Sequence, residues 1–551
     1  MIASWRLARF KAIKDHMEQI SFGSLTIFAG ANSSGKSTVI QSILMLMQTI
    51  ANRENSALLL NGALASLGEV DDLWFNGDLP GEHDEQKYFQ LEATLDINAE
   101  RELYLWLEFV PLNKTNVRLV RAEYALGNED DGYELNFTLE WDGERGVHRV
   151  TGISERLNER LIDELHGQGL RDIKPLLGVP IDMFDFYPRR LLVEAQTVSQ
   201  EINWSTVISD PLGVQLTDED LRLTIAVERL QLIERAMREL NLPEMALRNE
   251  RRQARLEDYR EWFGNLSARQ AQQLQAYLRE NLDDLMRPVE TWYPNAFFDQ
   301  IEAVLFDLFT RRINYLSAYR ISPKTLFQLG NEPDWSEVGI NGHNVAVALK
   351  EHGDRQIAYW DPTERVVREG PVLTALYKWL QFFSLLDRIE AEDRGKLGTL
   401  LRVYSPGVSK ELDLTSVGFG VSQILPIIVQ GLMTPPNNVF IVEQPEVHLH
   451  PHVQSQLAYF FFALTRVHVQ CIVETHSEYI VNQLRLLMAK GQKHLHEEIK
   501  IYFAQRYPEA GTQFEEVRLN RGGKIQNWPP GFMDESGKLA KEMLIAATER
   551  L

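Results

Sequence analysis

Gly30-Ala31-Asn32-Ser33-Ser34-Gly35-Lys36-Ser37 sits between the apolar run Leu25-Thr26-Ile27-Phe28-Ala29 and the helical pattern Thr38-Val39-Ile40-Gln41-Ser42-Ile43-Leu44. The octet satisfies G-x-x-x-x-G-K-[ST], and it lies where that motif must lie, after a strand and at the start of a helix. Its glycines let backbone N–H groups close around phosphate oxygens, and the helix dipole adds to the attraction for an anion. Lys36 is expected to reach the β and γ phosphates of a nucleotide and Ser37 to ligate Mg²⁺, with Thr38 closing the nucleotide-binding stretch.

Beyond the loop, residues 58–150 carry runs such as QLEATLDI, LYLWLEFV, VRLVRAEYAL, YELNFTLEW and HRVTGI. Their near period-2 alternation, parted by the turn signals DDG and WDGERG, predicts short antiparallel strands. From Asp218 to Arg312 the texture changes to helix formers, interrupted near Pro243 and Gly264, which predicts a compact helical lobe rather than a long coiled-coil arm. Strand-like runs return at LRVYSP, VFIVEQPE, QCIVETHS and IKIYFAQR, with helical stretches between them. The expected class is α/β in three parts. Residues 1–150 hold the phosphate loop and an antiparallel β region, 151–314 a linker and a mainly helical insertion, and 315–551 the second half of the core.

The 551 residues exceed what one core organises, and 44% hydrophobic with 25% charged residues is ordinary globular composition. A formal net charge of -21 argues against a protein that coats DNA with its whole surface, because nonspecific affinity comes from cations neutralising phosphates. A local basic groove stays open. Its best candidate is RNERRQAR at 248–255, although the acidic residues on either side favour a solvated helix face. No run of about eighteen apolar residues occurs, and the charged start MIASWRLARFKAIKDH lacks the apolar stretch of a secretory signal. A cytoplasmic protein without a membrane partner is expected. Cys471, the single cysteine, excludes an intrachain disulfide and reads as a buried strand residue.

Three further stretches carry chemistry. Asn438-Val439-Phe440-Ile441-Val442-Glu443-Gln444-Pro445-Glu446 is an apolar strand ending in a carboxylate, the pattern of a Walker B element. Glu443 there can orient Mg²⁺ or its coordinating water. Thr475-His476-Ser477 ends the next strand, where a histidine can hydrogen-bond a γ-phosphate. Thr415-Ser416-Val417-Gly418-Phe419-Gly420-Val421-Ser422-Gln423 precedes the helical run ILPIIVQGLM and offers a second phosphate-binding helix start, against a plain loop with Ser416 or Ser422 as helix cap. The order of the motifs along the chain favours the functional reading of each.

Together GANSSGKS, TSVGFGVSQ, FIVEQPEVHLHP and ETHSEYI resemble the ABC-type P-loop ATPase core of the RecF, SMC and OLD group, over roughly residues 1–80 and 315–535. The late segment NWPPGFMDE is similar to a C-terminal signature of bacterial relatives with this Walker B. The resemblance implies an ATPase head with an antiparallel β subdomain and a helical insertion, using ATP and Mg²⁺. It also implies a head-to-tail homodimer in which Gly418 and Gly420, with Ser416 or Ser422, bind the γ-phosphate held by the partner copy. His448, Leu449, His450 and Pro451 would fall in a loop crossing that interface. By residue type His448, His450 and His452 could instead hold zinc, a reading that Pro451 and the family position disfavour.

Gln444 departs from the pattern, which has a catalytic glutamate there. Glutamine can orient water but cannot act as a carboxylate base, so either hydrolysis is slow or Glu446 substitutes. The catalytic set expected is thus Glu443, Gln444, Glu446 and His476, with Ser37 and Glu443 at the metal. Similar architectures occur in anti-phage systems, including OLD nucleases and the ATPase subunits of Septu and retron modules. No D-x-D follows His476, and no other nuclease signature appears, so the expected role is to regulate or scaffold a separate effector such as a nuclease or toxin. A RecF- or SMC-like repair ATPase on duplex DNA is the alternative, and an ABC transporter subunit a weaker one.

Overall fold

The computed structural model describes residues 1–52, 58–75, 88–98, 100–128, 132–167, 170–171, 173–184, 186–197, 235–243, scattered positions from 262 to 277, 288–327, 336–408, 410–490, 495–533 and 535–548. The chain divides into two units. One comprises Met1–His148, Met183–Pro188 and Ala296–Leu551, and the other Arg149–Asp182 and Arg189–Asn295.

The first unit opens with β1 (Ile2–Ala8) and β2 (Leu25–Gly30), then α1 (Ser37–Asn52), then β3 (Phe89–Asn98), β4 (Arg101–Pro111), β5 (Val117–Asn128) and β6 (Gly132–Asp142). β1 pairs antiparallel with β3, and β3 to β6 pair antiparallel in sequence order. Alternate residues such as Leu91, Ala93 and Leu95 on β3 and Leu103, Leu105 and Leu107 on β4 are buried, so one face meets the core, as the period-2 reading requires. Trp5 on β1 donates from its indole nitrogen to Ser42 Oγ on α1 (2.9 Å), tying this sheet to the helix behind the phosphate loop.

The later part of the same unit supplies β7 (Ile313–Leu316), α2 (Phe419–Met433), β8 (Val439–Glu443), α3 (Pro451–Thr465), β9 (Gln470–Thr475), α4 (Glu478–Ala489), β10 (Ile499–Tyr507), β11 (Gly511–Glu516) and α5 (Glu535–Thr548). With β2 these strands form one sheet ordered β7-β8-β9-β2-β10-β11, parallel except for the last pair. The strand before the phosphate loop thus lies between two strands from the far end of the chain. Central parallel strands are covered on both faces, which explains why β2, β8 and β9 read as continuous apolar runs and not as alternations. Cys471 is fully buried in β9. In-register pairs Glu443↔Glu474 and Thr475↔Ala29 bring the carboxyl ends of β8, β9 and β2 to one edge. Open α/β sheets bind ligands at that edge.

α1 is apolar nearly all round and buried through Ile50, and its buried Ser42, Gln48 and Thr49 are engaged. Gln48 donates to the carbonyls of Leu59 and Ala65 and accepts from Ala65 N, and Thr49 Oγ1 accepts from Leu59 N. α2 and α3 approach closely at Gly431, where an added methyl would lie 2.8 Å from the ring of Phe460.

In the second unit, residues 190–196 pair antiparallel with 288–294, and Glu155–Gly167 is a helix. The strand Pro288–Pro294 falls within the stretch read as helical. Its alternating Val289, Thr291 and Tyr293 are β-branched and aromatic residues that suit a pleated pair better than a helix. Most of the helical reading between 218 and 287, and all of the basic stretch 248–255, lies outside the described residues. Among the described residues no helix is long and apolar enough to cross a membrane.

A candidate nucleotide site

The phosphate loop is shaped by three residues with positive φ: Gly30 (152°), Ser33 (58°) and Gly35 (91°). Lys36 is almost fully buried beneath it and donates from Nζ to the carbonyls of Gly30 (3.2 Å) and Ala31 (2.7 Å). Burial lowers its pKa, and Glu474 and Glu446 oppose that shift. The lysine thus rests on loop oxygens at the place where it would meet phosphate. Ser34 Oγ is buried without a partner.

Ser37 Oγ donates to Glu474 Oε1 at 3.0 Å, joining the first turn of α1 to the end of β9. Glu474 Oε2 is buried and has no hydrogen-bond partner. Next to it across the ladder stands Glu443, whose pKa is pushed up to about 7 by burial first and then by Glu474, despite hydrogen bonds from Tyr315 and the Ala318 backbone. Burial also raises the pKa of Glu474. Two buried carboxylates thus stand side by side at the mouth of the phosphate loop, with Lys36 and Arg320 as the cations acting on them.

Glu446 takes a different part. Its Oε2 accepts from Thr475 Oγ1 (2.8 Å) and its Oε1 from His476 N (2.6 Å), so it braces the turn that carries the histidine. His476 has its pKa lowered by burial and by Lys36, with a backbone hydrogen bond to Gly30 opposing. Gln444 adopts φ 43°, a left-handed conformation that side chains rarely occupy. Its N–H donates to Glu474 O (2.8 Å), while Arg320 donates to Glu443 O (2.7 Å) and to Gln444 O (3.1 and 3.2 Å). Arg320 is buried, and burial brings its pKa down to about 10.

The structure therefore collects Gly30 to Thr38, Glu443, Gln444, Glu446 and His476 at one sheet edge. It adds three residues that sequence reasoning did not single out: Glu474, Tyr315 and Arg320. Glu474 had a legible signal, since QCIVE repeats the pattern of FIVE, an apolar strand ending in a carboxylate. Tyr315 and Arg320, on β7 and just beyond it, had none.

The Gly/Ser signature joins another neighbourhood. Ser416 closes a short 3₁₀ turn, and Gly418 occupies the N-cap of α2 without a side-chain cap. Ser422 Oγ donates to Phe419 O (2.6 Å) inside the helix, so neither serine is the cap. A methyl on Gly420 would lie 3.1 Å from His448 O, and the rings of Phe419 and His448 meet at 4.8 Å. His450 caps α3 by accepting from His452 N (3.2 Å), which turns its ring to a structural task. Ser477 caps α4 and donates to Gln454 Oε1 (2.6 Å), and Gln454 Nε2 donates to Leu449 O (2.9 Å). The histidine turn and the loop after Walker B are thereby linked through α3.

Residues 348–481 match the AAA ATPase domain family, and residues 495–543 match a family described as a protein of unknown function (DUF3696). No curated protein matches the sequence. Among solved structures, the Smc head domain with an extended coiled coil bound to the C-terminal domain of ScpA from Pyrococcus furiosus is 12% identical, with 98% of this chain and 99% of that chain covered and a TM-score of 0.34. The SMC head domain from Thermotoga maritima is 10% identical, with 94% and 99% covered and a TM-score of 0.34. Superpositions this loose add nothing to the strand order and loop geometry above. The AAA ATPase match spans the strands of Glu443 and Glu474, and those strands meet a complete phosphate loop, so over residues 348–481 the chain is similar to the AAA ATPase domain family.

Proposed function

We propose that the chain binds ATP with Mg²⁺ at this edge, hydrolyses it slowly, and pairs head to tail with a second copy whose signature completes each site. The observation that carries the reading is the Ser37–Glu474 hydrogen bond at the mouth of the phosphate loop, with Glu474 Oε2 buried and unpartnered beside the buried Glu443. Oxygen donors of this kind fit a hard divalent cation, and Ser37, Glu443 and Glu474 would hold it. Bound there, Mg²⁺ supplies positive charge to the phosphate oxygens. Lys36 exchanges its loop carbonyls for phosphate, His476 faces the γ-phosphate side, and Glu446 holds His476 in place. Gln444 orients water without removing its proton, which keeps turnover slow.

Pairing is supported by the chain's own layout. Gly418 and Gly420 start a helix, a methyl on Gly420 would lie against His448 O, a methyl on Gly418 would meet open space, and Phe419 is exposed there. A helix start of this kind suits a phosphate brought by another copy. By the resemblance to anti-phage ATPases, the ATP-held pair controls a separate effector, and no nuclease centre is assigned to this chain. Duplex DNA binding of RecF or SMC type is the competing role, and salt-dependent DNA affinity would favour it.

The test is complementation. Chains with Lys36→Ala and chains altered at Ser416, Gly418 and Ser422 are each inactive alone, and mixing them restores part of the ATPase activity through composite sites. If no mixture recovers activity while wild type turns over, the trans arrangement is wrong.

A further inference from the structure

The two glycines that define the phosphate loop are both crowded from behind by the same hairpin, β10–β11. A methyl on Gly30 would overlap the Ala504 carbonyl on β10, its ladder neighbour, and a methyl on Gly35 would overlap Thr512 Oγ1 at the start of β11 and Cβ of Ala12. Thr512 is buried, and its hydroxyl donates to Ser34 O at 2.7 Å, the backbone of the loop itself. The hairpin is in turn clamped to the segment after β1. Thr512 N donates to Ala12 O (2.7 Å), Gly511 bridges Ile13 at φ 73°, and Lys14 Nζ donates to Glu509 O (2.8 Å). Gly511 has no room for a side chain, since a methyl there would lie 2.7 Å from Ala12 O.

We infer that the β10–β11 hairpin is the back wall of the phosphate loop and that Thr512 is a positioning residue for nucleotide binding, fixing the loop through Ser34. The inference rests on the nucleotide-site reading and deepens it. It also gives a task to part of the segment 495–543, whose matched family is one of unknown function. The physical reason is preorganisation. A loop that presents N–H groups to phosphate must hold carbonyls facing away from it, and each such carbonyl needs a donor when buried. Thr512 supplies that donor to Ser34 O. Without it the loop relaxes among shapes, and the nucleotide must select the competent one, which weakens apparent affinity by the fraction lost.

Three variants of the full chain separate this from a general packing role. Thr512→Val keeps shape and removes the hydroxyl, Thr512→Ala removes it with a smaller side chain, and Thr512→Ser retains it. Calorimetric titration of ATP with Mg²⁺ is read beside the melting temperature of the nucleotide-free chain, with Lys36→Ala as the control for the site. The expected result is roughly tenfold weaker ATP binding in Thr512→Val and Thr512→Ala, the weight of one buried hydrogen bond, with near wild-type melting and affinity restored in Thr512→Ser. Wild-type affinity in Thr512→Val while Lys36→Ala loses binding overturns the role of Thr512 and leaves the site reading intact. If Thr512→Val fails to fold, wild-type affinity in Thr512→Ala overturns that role in the same way. Weak binding in Thr512→Ser equal to that of Thr512→Val also overturns it. If wild type itself binds no ATP, the site reading and this inference fall together.

Discussion

Gln444 is held by its backbone more firmly than its sequence position suggests, with its N–H on Glu474 O and its carbonyl under Arg320. A left-handed non-glycine residue costs on the order of 1 kcal/mol, so this turn persists because its neighbours fix it. A carboxylate introduced there starts in a defined place. Gln444→Glu is predicted to raise steady-state turnover by about 100-fold, within the range of a positioned general base. Glu446→Gln is predicted to lower turnover instead, because it loosens the acceptor pair that holds Thr475 and His476. Should Gln444→Glu change nothing while Glu446→Gln abolishes activity, Glu446 is the base. Glu443 makes a second prediction. Its pKa lies at about 7 in the folded chain against an ordinary 4.5, so the folded state holds its proton more tightly than the unfolded state. The stability it contributes is present below about 4.5 and lost as pH rises through about 7. Melting of the nucleotide-free chain should therefore fall more steeply from about pH 5 to about pH 8 in wild type than in Glu443→Gln. Equal slopes would mean that Glu443 does not carry the raised pKa on which this prediction rests. The loop residues, Glu443 and His476 were legible because their motifs are local. Arg320 was not, because its partners lie 123 and 124 residues away and nothing in LSAYRISP marks it.

At the scale of elements, α2 and α3 are tied by an absence of side chain. Gly431 costs helix stability in principle, yet an added methyl would press on Phe460 and Leu464 at 2.8–2.9 Å, with Phe460 fully buried. Overpacking outweighs the gain in helix propensity, so Gly431→Ala is predicted to destabilise the chain by about 1–3 kcal/mol in denaturant unfolding. A stabilised variant would show that α2 can slide. These elements were readable in kind: the antiparallel strands from 89 onward, the α/β alternation after 399 and the buried all-apolar α1 follow from period and composition. The strand Pro288–Pro294 was hidden among neighbouring helix formers, and the pairing of β2 between β9 and β10 has no local sequence signal at all. Long-range strand order is a property of packing, which single-chain periodicity does not carry.

For the whole molecule, the decisive feature is that one sheet edge gathers residues from both ends of a 551-residue chain. The phosphate loop and α1 come from residues 25–52, the carboxylates from β8 and β9, and the wall behind the loop from β10 and β11. A net charge of -21 sets the same edge a problem, since it clusters carboxylates in an already acidic protein, and a cation bound there would relieve it. Nucleotide binding should accordingly need both the lysine and the metal. Calorimetric titration of ATP into the wild-type chain and into Lys36→Ala, with and without Mg²⁺, tests this most directly. The account predicts saturable binding by wild type that depends on Mg²⁺, and affinity lower by roughly 100-fold in Lys36→Ala, where the charge-assisted bonds to phosphate are gone. Binding by Lys36→Ala equal to wild type would contradict it.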